Sequence, residues 1–417
     1  MRPFDVAIVG AGPAGLASAL YLKRAGHKPV IFERFPAAAP VGSGLILQPT
    51  GLSVLADLGL LKPIMALGHR IDRLHGLDGK SGRQVLNVSY NALPGGRFGL
   101  AVNRHALFSV LADAVASERI EILTGCHVTD MEAGRGGRRL LFDKGGTSAA
   151  FDLIVDTSGA RSGLRRHAKH PAEPKPLPYG ALWATLDWQN GSFDTHALSQ
   201  RYDKASVMAG VLPTGRTEHN GHEKFAFFWS LKPDDLASLK AAGLEEWKNV
   251  VVSLWPECAV FLDQIGSFEA MTLAKYGHHT LRVPAGDGVV FVGDSAHSTS
   301  PQLGQGANMA LLDAYALGQA ALRGADIPAT LDVYSRSRRR HVAVFQAMSV
   351  LFTPFYQSDS SALAFVRDQV VARLARIPPA QKILASMVCG TLVDPFSPIG
   401  LTEKIWQAPL AKDAQIQ

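Results

Sequence analysis

The first 33 residues constrain the fold more than any other part of the chain. Residues Asp5 to Val9 are an apolar, β-branched run suited to a strand that is buried on both faces. Ala14 to Ala25 follow with a helical pattern that ends at Gly26, and Pro29 to Phe32 form a second short strand before Glu33. This order predicts a β-α-β unit, the building block of an α/β domain.

The turn between the first strand and the helix is Gly10-Ala11-Gly12-Pro13-Ala14-Gly15. In a dinucleotide site the three glycines provide a tight turn, room for the pyrophosphate, and close packing of helix on strand. The helix N-terminus offers free N–H groups to the phosphates. Glu33, 18 positions after the last glycine, is placed to accept hydrogen bonds from a ribose. The unit therefore predicts bound FAD or NAD.

A second motif, Gly293 to Asn308, complements the first. Asp294 follows the apolar strand Val289 to Val292, where a carboxylate can bind a sugar or ribityl hydroxyl. Pro301 to Gly306 form a loop ahead of the predicted helix Ala307 to Leu322, so backbone N–H groups and the positive helix end can face an anion. A reduced flavin carries such a charge near N1 and its C2 carbonyl. The two motifs together indicate a flavoenzyme.

The rest of the chain predicts a second sheet and a helical end. With 417 residues, 47% of them hydrophobic, the chain can bury the core of two connected domains. Residue character alternates along runs such as Leu182 to Trp188 and Phe225 to Leu231, and polar turns separate these runs. This pattern predicts an inserted antiparallel sheet. From residue 335 the pattern is helical, with helices broken at prolines such as Pro354. The predicted α/β fold has a Rossmann-like FAD-binding domain (1–75, 97–175 and 275–335), an inserted mixed or antiparallel β-sheet substrate domain (76–96 and 176–274) and a helical C-terminal region (336–417).

Cysteine usage and hydropathy exclude several other classes. Cys126, Cys258 and Cys389 are far apart and form no CxxC pair, which argues against a disulfide framework or a thiolate zinc site. A reducing, cytoplasmic compartment fits this pattern. No segment reaches the roughly 20 uninterrupted apolar residues of a spanning helix, so stable membrane insertion is not expected.

The net charge of +6 draws in part on a run of four arginines, Arg336, Arg338, Arg339 and Arg340. We interpret this run as a solvated helix face, with contact to anionic lipid or nucleic acid as alternatives. Because no aromatic residues interleave with the arginines, no nucleic-acid partner is expected.

The chain resembles the single-component (group A) FAD-dependent aromatic hydroxylases, which have a para-hydroxybenzoate hydroxylase-like fold and include salicylate, alkylquinolone and ubiquinone-precursor hydroxylases. The resemblance covers about residues 1 to 340. The segments that carry it are Gly10 to Gly15, Glu33-Arg34, Gly42 to Pro49, Leu55 to Leu60, Arg104 to Leu107 and Gly293 to Leu317.

The resemblance implies how FAD is held. In the family the glycine turn binds the ADP part, the acid matching Glu33 binds the adenosine ribose, and the arginine matching Arg104 supports the pyrophosphate region. Asp294 matches the residue that holds the ribityl chain. The cofactor-binding residues expected on this basis are Gly10, Gly12, Pro13, Ala14, Gly15, Glu33, Arg34, Arg104, Val128, Ser158, Asp294, Gly304, Gly306, Ala307 and Asn308.

The implied reaction is the hydroxylation of an aromatic or heteroaromatic small molecule. NADH or NADPH, bound transiently, reduces FAD; oxygen then forms a flavin C4a-hydroperoxide and passes its terminal oxygen to an electron-rich carbon. By the resemblance Pro301, Gly304 and Gln305 border the isoalloxazine ring and are the expected catalytic residues. No metal is expected, because the protein's part is binding, orientation and exclusion of water.

One position departs from the family pattern. The family usually has an Asp-Gly pair between the two flavin motifs, and Ser158-Gly159 stands there in this chain. Ser158 carries no charge, which leaves open how the nicotinamide is received. The alternatives are therefore a flavin-dependent reductase, dehydrogenase or halogenase on the same fold, or a flavoprotein without turnover. Halogenases of this fold carry a Trp-x-Trp-x-Ile-Pro motif that this sequence lacks.

Substrate contacts are expected from the inserted sheet, which roofs the flavin in the family. The candidates are Gln48, Tyr202, Met208, Phe227, Trp229 and Pro301, each with ordinary core packing as the alternative. No arginine cluster signals a carboxylate on the substrate, which favours a neutral, fairly apolar ring. The expected partners are this small molecule and O2, for a monomer or homodimer. The tail from Met348 to Gly390 either accommodates an alkyl-tailed substrate or forms a helical cap or a dimer contact.

Overall fold

The computed structural model describes residues 2–37, 44–189, 193–403 and 405–406. In chain order its strands are β1 (Asp5–Val9), β2 (Lys28–Phe32), β3 (Gly44–Leu47), β4 (His69–Ile71), β5 (Arg73–Asp78), β6 (Gln84–Ser89), β7 (Gly99–Asn103), β8 (Glu121–Leu123), β9 (Val128–Gly134), β10 (Gly137–Phe142), β11 (Leu153–Asp156), β12 (Lys175–Pro176), β13 (Gly180–Asp187), β14 (Ala197–Asp203), β15 (Val207–Arg216), β16 (Glu223–Leu231), β17 (Thr272–Ala274), β18 (Gly277–His278), β19 (Ala285–Gly286) and β20 (Val289–Phe291). Its α-helices are α1 (Pro13–Arg24), α2 (Pro49–Asp57), α3 (Leu61–Leu67), α4 (Arg104–Ser117), α5 (Leu236–Ala242), α6 (Leu244–Leu254), α7 (Ala259–Leu262), α8 (Gly306–Arg323), α9 (Ile327–Tyr356), α10 (Ser361–Val366), α11 (Ala372–Leu374) and α12 (Pro378–Cys389).

The first sheet is built around β1 and has the strand order β19-β20-β11-β1-β2-β8. Strand β1 pairs in parallel with β2 and with β11, so that Val6 lies opposite both Pro29 and Leu153. All but the first residue of β1 are buried: Val6 and Ile8 pack with residues of α1 and α8, and Ala7 and Val9 pack on the other face with Met131 of β9 and Leu140 of β10. Helices α1 and α8 pack against each other on one face. The predicted α/β, Rossmann-like fold is confirmed.

The second sheet has seven strands in the order β17-β13-β16-β15-β14-β5-β6. Its pairs are antiparallel except for β14 with β5, so the predicted mixed or antiparallel sheet is present. Helices α5 to α7, which the sequence pattern did not predict, belong to this half of the molecule, and residues of α6 and α7 bury one face of the sheet. The sheet begins at Arg73 and ends at Ala274; the domain boundaries drawn from the sequence stay a prediction.

The C-terminal region is helical, as the pattern indicated. Helix α9 runs for 30 residues and contains Pro354 in its last turn, two residues before it ends at Tyr356. Pro354 therefore lies just inside the end of the helix. Helix α12 begins at Pro378, a favourable first position because proline has no N–H to leave unpaired there. None of the helices in the described part of the chain combines the length and apolar character needed to cross a membrane.

Candidate active site

A large cavity of about 990 Å³ lies between the two sheets. One end is lined by the turn after β1 and by Glu33, the middle by Asp294 and the loop before α8, and the other end by strands of the seven-stranded sheet. This volume is at the upper end of the range for small-molecule sites, roughly 300–1,000 Å³. The cavity thus joins both sequence motifs and the predicted substrate region in one space.

The glycine turn has the geometry that a dinucleotide needs. Gly10 has a φ of +105°, and a Cβ there would lie 2.9 Å from the Thr157 carbonyl oxygen. A Cβ on Gly15 would lie 2.0 Å from the Gly10 carbonyl oxygen, so this glycine allows α1 to pack closely on the turn. At Gly12, in contrast, a Cβ would have no atom of the described residues within 4 Å, and the position faces the cavity. The turn fits a phosphate that approaches the backbone at Gly12.

Glu33 lies at the end of β2, beside the turn. Its Oε2 accepts a hydrogen bond from the Ala11 N–H at 2.8 Å, and its Oε1 accepts one from the Phe35 N–H at 3.0 Å. Each carboxylate oxygen has a further lone pair, and Glu33 lines the cavity. A ribose hydroxyl can therefore still donate to this carboxylate. Arg34 and Val128 line the same end of the cavity, as does Arg104, the first residue of α4.

Asp294 lies in a 3-10 turn just after β20 and its side chain is exposed to the cavity. Surrounding protein desolvates the carboxyl and raises its pKa, while the charges of His297 and Arg104 act in the opposite direction. Gly293, directly before it, has a φ of +67°, which favours glycine. The carboxyl group is thus held by a fixed turn at the mouth of the loop that precedes α8.

A buried charge network fixes this turn from behind. The Asp313 carboxylate on α8 accepts hydrogen bonds from the Gly293 N–H at 3.0 Å, from His297 Nε2 at 2.6 Å and from Arg338 Nε at 2.6 Å. Desolvation raises the pKa of Asp313, but the charges of His297 and Arg338 outweigh it and hold the pKa well below its ordinary value. His341 extends the network from Arg338 to the Gly390 carbonyl oxygen.

This network corrects the interpretation of the arginine run. Arg338 is 2% exposed and pairs with Asp313, so it does not belong to a solvated helix face. The neighbouring Arg336, Arg339 and Arg340 are exposed, as expected. The three-residue spacing in a helix places Arg338 on the inner side of α9, next to His341.

The loop before α8 combines a rigid turn with a helix N-terminus. Pro301 begins a 3-10 turn that ends at Gly304, whose φ of +60° is left-handed. Gln305 donates from Nε2 to the Val388 carbonyl oxygen at 2.6 Å, which ties the loop to α12. Pro301, Gly304 and Gln305 line the cavity, and so do Gly306 and Ala307 at the start of α8. The N–H groups of this helix end can therefore face an anion in the cavity.

Two predicted residues act behind the cavity instead of in its wall. The Asn308 side chain is fully buried, where it accepts from the Gln48 N–H at 2.8 Å and donates to the carbonyl oxygens of Ile46 and Gly304. Gln48, 1% exposed, accepts from Tyr90 Oη at 2.7 Å. Neither residue lines the cavity, so the expectation of direct contact with flavin or substrate is corrected. Both residues stabilise the strand β3 beside the loop.

The turn at Ser158 contains a carboxylate that the sequence motifs did not reveal. Asp156, at the end of β11, is fully buried and accepts hydrogen bonds from the Ser158 N–H at 2.9 Å, from Ser158 Oγ at 2.6 Å and from Ser162 Oγ. Burial raises the pKa of Asp156. Ser158 lines the cavity, whereas Asp156 lies beneath the turn. The sequence did contain a signal for this carboxylate, because Asp156 is an acidic residue at the end of a buried strand, just before a glycine turn.

Strands β13 to β16 of the substrate sheet present only alternate residues to the cavity. Tyr202 and Met208 line it, as predicted, and Phe228 lines it as well. Phe227 and Trp229 point to the opposite face, where they contact Trp247 of α6, so their assignment to the pocket is wrong. The reason is the alternation of side chains along β16. Gly210 on β15 leaves room for the Phe228 ring, since a Cβ there would lie 2.1 Å from Phe228 Cζ.

Helices α9 and α12 cap the substrate end of the cavity. Phe352 and Tyr356 of α9 and Leu384 of α12 line it, which agrees with the helical-cap hypothesis for the tail. The buried Arg367 holds the cap to the sheet: its guanidinium lies 5.0 Å from the ring centroid of Tyr202 and 5.7 Å from that of Tyr356. Arg367 is balanced by Asp368 through an Nε–Oδ1 hydrogen bond of 2.7 Å.

Two further expectations concern other parts of the chain. Gly42 and Ser43, at the start of the predicted stretch along the flavin, lie outside the described residues.

Within the described ranges, no group of three or more His, Cys, Asp or Glu side chains is placed to hold a metal ion. His279 is buried and bonded to Ser298 Oγ and the Ser295 carbonyl oxygen, so its ring serves the packing of this region.

Comparisons with known proteins agree with this geometry. Residues 3–348 match the family described as "FAD binding domain". The chain is similar to 6-methylpretetramide 4-monooxygenase of Streptomyces rimosus, with 28% identity over 405 residues, covering 93% of this chain and 92% of the relative. It is also similar to 2-heptyl-3-hydroxy-4(1H)-quinolone synthase of Pseudomonas aeruginosa, with 26% identity over 382 residues, covering 88% and 93%. Among solved structures, HpxO of Klebsiella pneumoniae complexed with FAD and uric acid has a TM-score of 0.73 at 20% identity, covering 92% and 97%.

Proposed function

The chain belongs to the FAD-dependent aromatic hydroxylases, flavoprotein monooxygenases that share the matched FAD binding domain, and we propose that it hydroxylates a neutral, fairly apolar aromatic or heteroaromatic compound. The observation that carries this proposal is the cavity that joins the glycine turn, Asp294 and the inner face of the substrate sheet. The relatives favour a hydroxylase over a flavin reductase, dehydrogenase or halogenase.

We propose the following division of roles for the cofactor. Bound FAD, reduced by NADH or NADPH, supplies the chemistry that activates oxygen. Gly12 and the N-terminus of α1 hold the pyrophosphate, Glu33 the ribose and Asp294 the ribityl chain. Pro301, Gly304 and Gln305 shape the wall where substrate and flavin meet, and the N–H groups of Gly306 and Ala307 face the negative charge of the reduced ring. The open glycine, the two carboxylates and the helix end support this arrangement.

The substrate end of the cavity supports a neutral substrate. The side chains that β14, β15 and β16 present to it are apolar, aromatic or uncharged polar ones: Leu198, Gln200, Tyr202, Met208, Leu212 and Phe228. Tyr202 donates to Gln200 Oε1 at 3.0 Å, so the two polar groups satisfy each other across the wall. The cation of Arg367 beside Tyr202 is already paired with Asp368, so a charged substrate group would lose hydration at these strands without gaining a free opposite charge. The product named for the quinolone synthase, 2-heptyl-3-hydroxy-4(1H)-quinolone, is a heterocycle without a carboxylate, in line with this setting.

We also propose a cytoplasmic location and a monomeric or homodimeric state. The three cysteines are free thiols, and Cys258 and Cys389 are buried. Free buried thiols are typical of proteins from reducing compartments, which supports the proposed location.

The proposal is tested with the purified protein and a panel of phenols, quinolones and quinone precursors. We expect a flavin absorbance spectrum and NAD(P)H oxidation that one class of neutral compound stimulates. A protein that gains no flavin absorbance with added FAD would contradict the proposal. Stimulation only by carboxylated compounds would contradict the neutral substrate.

Replacement of Asp294 by alanine is expected to weaken FAD affinity by about 10- to 100-fold, because a charge-assisted hydrogen bond of about 1.5–3 kcal/mol is lost. Fluorescence titration of the apoprotein with FAD measures the change. Asp287→Ala is the matched control, since Asp287 is highly exposed on the loop before the same strand. Equal affinity of the two variants would show that Asp294 does not bind the ribityl chain.

The neighbouring residues Phe227 and Phe228 give a matched test of the substrate wall. Phe228→Leu is expected to raise the KM for the aromatic substrate about 5- to 150-fold, because lost contact in an apolar pocket is worth about 1–3 kcal/mol. Phe227→Leu is expected to leave KM unchanged and to lower the stability of the sheet by about 1 kcal/mol. Steady-state kinetics and thermal unfolding distinguish the two. If Phe227→Leu raised KM and Phe228→Leu did not, the assigned face would be wrong.

A further inference from the structure

The exposed apolar side chains of this protein are concentrated in one segment. Of the 13 large hydrophobic side chains that are more than a third exposed in the described residues, eight lie in the 34-residue stretch 350–383. That stretch contains the end of α9, then α10, a π-helical turn (Arg367–Val371), α11 and the start of α12. Single exposed apolar residues are ordinary, but a concentration of this kind marks an interaction surface. We call the exposed side chains of residues 350–383 the outer face of the cap.

The most exposed members are spread over the whole segment. Val350 is 57% exposed on α9, Phe365 is 64% exposed on α10, and Leu374 is 52% exposed on α11. Ile377 and Ile383 are half exposed at and within the first turns of α12. The outer face therefore does not depend on one misplaced side chain.

The inner side of the same helices forms the wall of the active-site cavity. Phe352 and Tyr356 of α9 come one to six residues after the exposed Val350 and Leu351, and Leu384 directly follows the exposed Ile383. These three residues also line a small second cavity of about 20 Å³ between the cap and β6. One layer of helix, about 10 Å thick, thus separates the outer face from the substrate end of the cavity.

The charges on the outer face have one sign. Arg373, Arg376 and Lys382 are exposed among the apolar side chains. The two carboxylates of the stretch are already bonded: Asp359 pairs with Lys232 of the substrate sheet at 2.8 Å, and Asp368 with the buried Arg367 at 2.7 Å. The outer face therefore carries a basic surplus beside its apolar side chains.

The arginines of α9 extend this basic surplus. Arg339 and Arg340 precede Val350 and Leu351 by 11 residues, which is close to three full helical turns. They therefore lie on the same side of α9, about 16 Å from its apolar end. Of the arginine run, only Arg338 belongs to the network behind the active site. Arg339 and Arg340 lie in line with the outer face of the cap.

We propose that the outer face of the cap docks on the surface of an anionic lipid bilayer. Basic side chains pair with acidic headgroups, while the apolar side chains enter the boundary between headgroups and acyl chains, as in interfacial helices. A second copy of the chain fits less well, because a two-fold interface would bring the same basic surplus against itself. Resting on the proposed function, this placement brings a lipophilic aromatic substrate in the bilayer next to the wall of the cavity.

The test is co-sedimentation of the full-length, FAD-loaded protein with vesicles of phosphatidylcholine or of an equal mixture of phosphatidylcholine and phosphatidylglycerol. We expect sedimentation with the acidic vesicles, little with the neutral ones, and release by high salt. The triple variant Arg373→Gln, Arg376→Gln, Lys382→Gln is expected to lower the partition coefficient about a hundredfold. Leu374→Ser with Ile377→Ser is expected to lower it as well.

The matched control is Val250→Ser with Val260→Ser, two equally exposed apolar residues in the helices behind the substrate sheet. This control is expected to sediment like the unchanged protein. The proposal is overturned if acidic vesicles do not sediment the protein, or if the charge variant sediments equally well. It is also overturned if light scattering shows a dimer that Leu374→Ser dissociates, because the face would then belong to a second copy. Vesicle binding requires no turnover, so its failure is distinct from a failure of NAD(P)H-dependent hydroxylation.

Discussion

Replacement of Asp313 by alanine is expected to lower the free energy of unfolding by about 3–5 kcal/mol, because it leaves the charge of Arg338 buried without a partner. Asp313 is fully buried and Arg338 is 2% exposed, so water cannot replace the lost carboxylate without opening the packing of α8 on α9. The same change removes the acceptor of the Gly293 N–H, and the turn that carries Asp294 loses its support. Urea denaturation measures the loss of stability, and FAD titration measures the effect on the turn.

The control for this change lies on α9, the helix that carries Arg338. Asp332 pairs with Arg336 on the exposed side of α9, and Asp332→Ala is expected to have an effect several times smaller. The paired replacement Asp313→Leu with Arg338→Met is expected to recover part of the stability, since no unpaired charge remains. Equal denaturation midpoints for Asp313→Ala and Asp332→Ala would contradict the importance of the buried network.

Replacement of Gly12 by valine is expected to reduce FAD affinity at least about 100-fold while the apoprotein unfolds at an unchanged temperature. Gly12 has an extended backbone, with φ −71° and ψ 175°, that any residue adopts, and a Cβ there meets no atom of the described protein. The valine side chain is therefore not expected to disturb the fold. It fills the space that the pyrophosphate needs and keeps the phosphates from the N–H groups of the turn. Two charge-assisted hydrogen bonds, each worth about 1.5–3 kcal/mol, are enough for this loss.

Gly266→Val is the matched control for the change at Gly12. Gly266 also has open space around a Cβ and is exposed, but it does not line the cavity. Gly10→Ala, in contrast, is expected to lower the unfolding temperature of the apoprotein. The φ of Gly10 is +105° and a Cβ there would approach the Thr157 carbonyl oxygen, so the substitution strains the fold itself. If Gly12→Val retained FAD as tightly as Gly266→Val, the pyrophosphate would not pass over Gly12.

The sequence predicted those parts of the molecule that local patterns determine. The β-α-β unit with Glu33 follows from strand and helix periodicity and from the spacing of three glycines, all within 33 residues. Asp294 and the loop to α8 also follow from an apolar strand, a proline and two glycines in one short stretch. In the structure these residues line one cavity.

Long-range packing determined what the sequence could not predict. Phe227 and Phe228 look equivalent in an aromatic strand, and only helices α6 and α7 behind the sheet decide which ring is core and which faces the cavity. Gln48 and Asn308 bond across 260 residues, so that two candidate contact residues are used in structural support. Arg338 looks like one of four surface arginines until α8 brings Asp313 beside it.

The most direct test of the central claim is the fate of molecular oxygen. The purified protein is supplied with NAD(P)H, ¹⁸O₂ and the compound that best stimulates cofactor oxidation, and the product is analysed by mass spectrometry. A monooxygenase predicts one ¹⁸O atom in the ring-hydroxylated product for each NAD(P)H consumed. Recovery of the label as hydrogen peroxide, with an unlabelled and unchanged aromatic compound, would contradict the account and indicate a flavin-dependent reductase or oxidase.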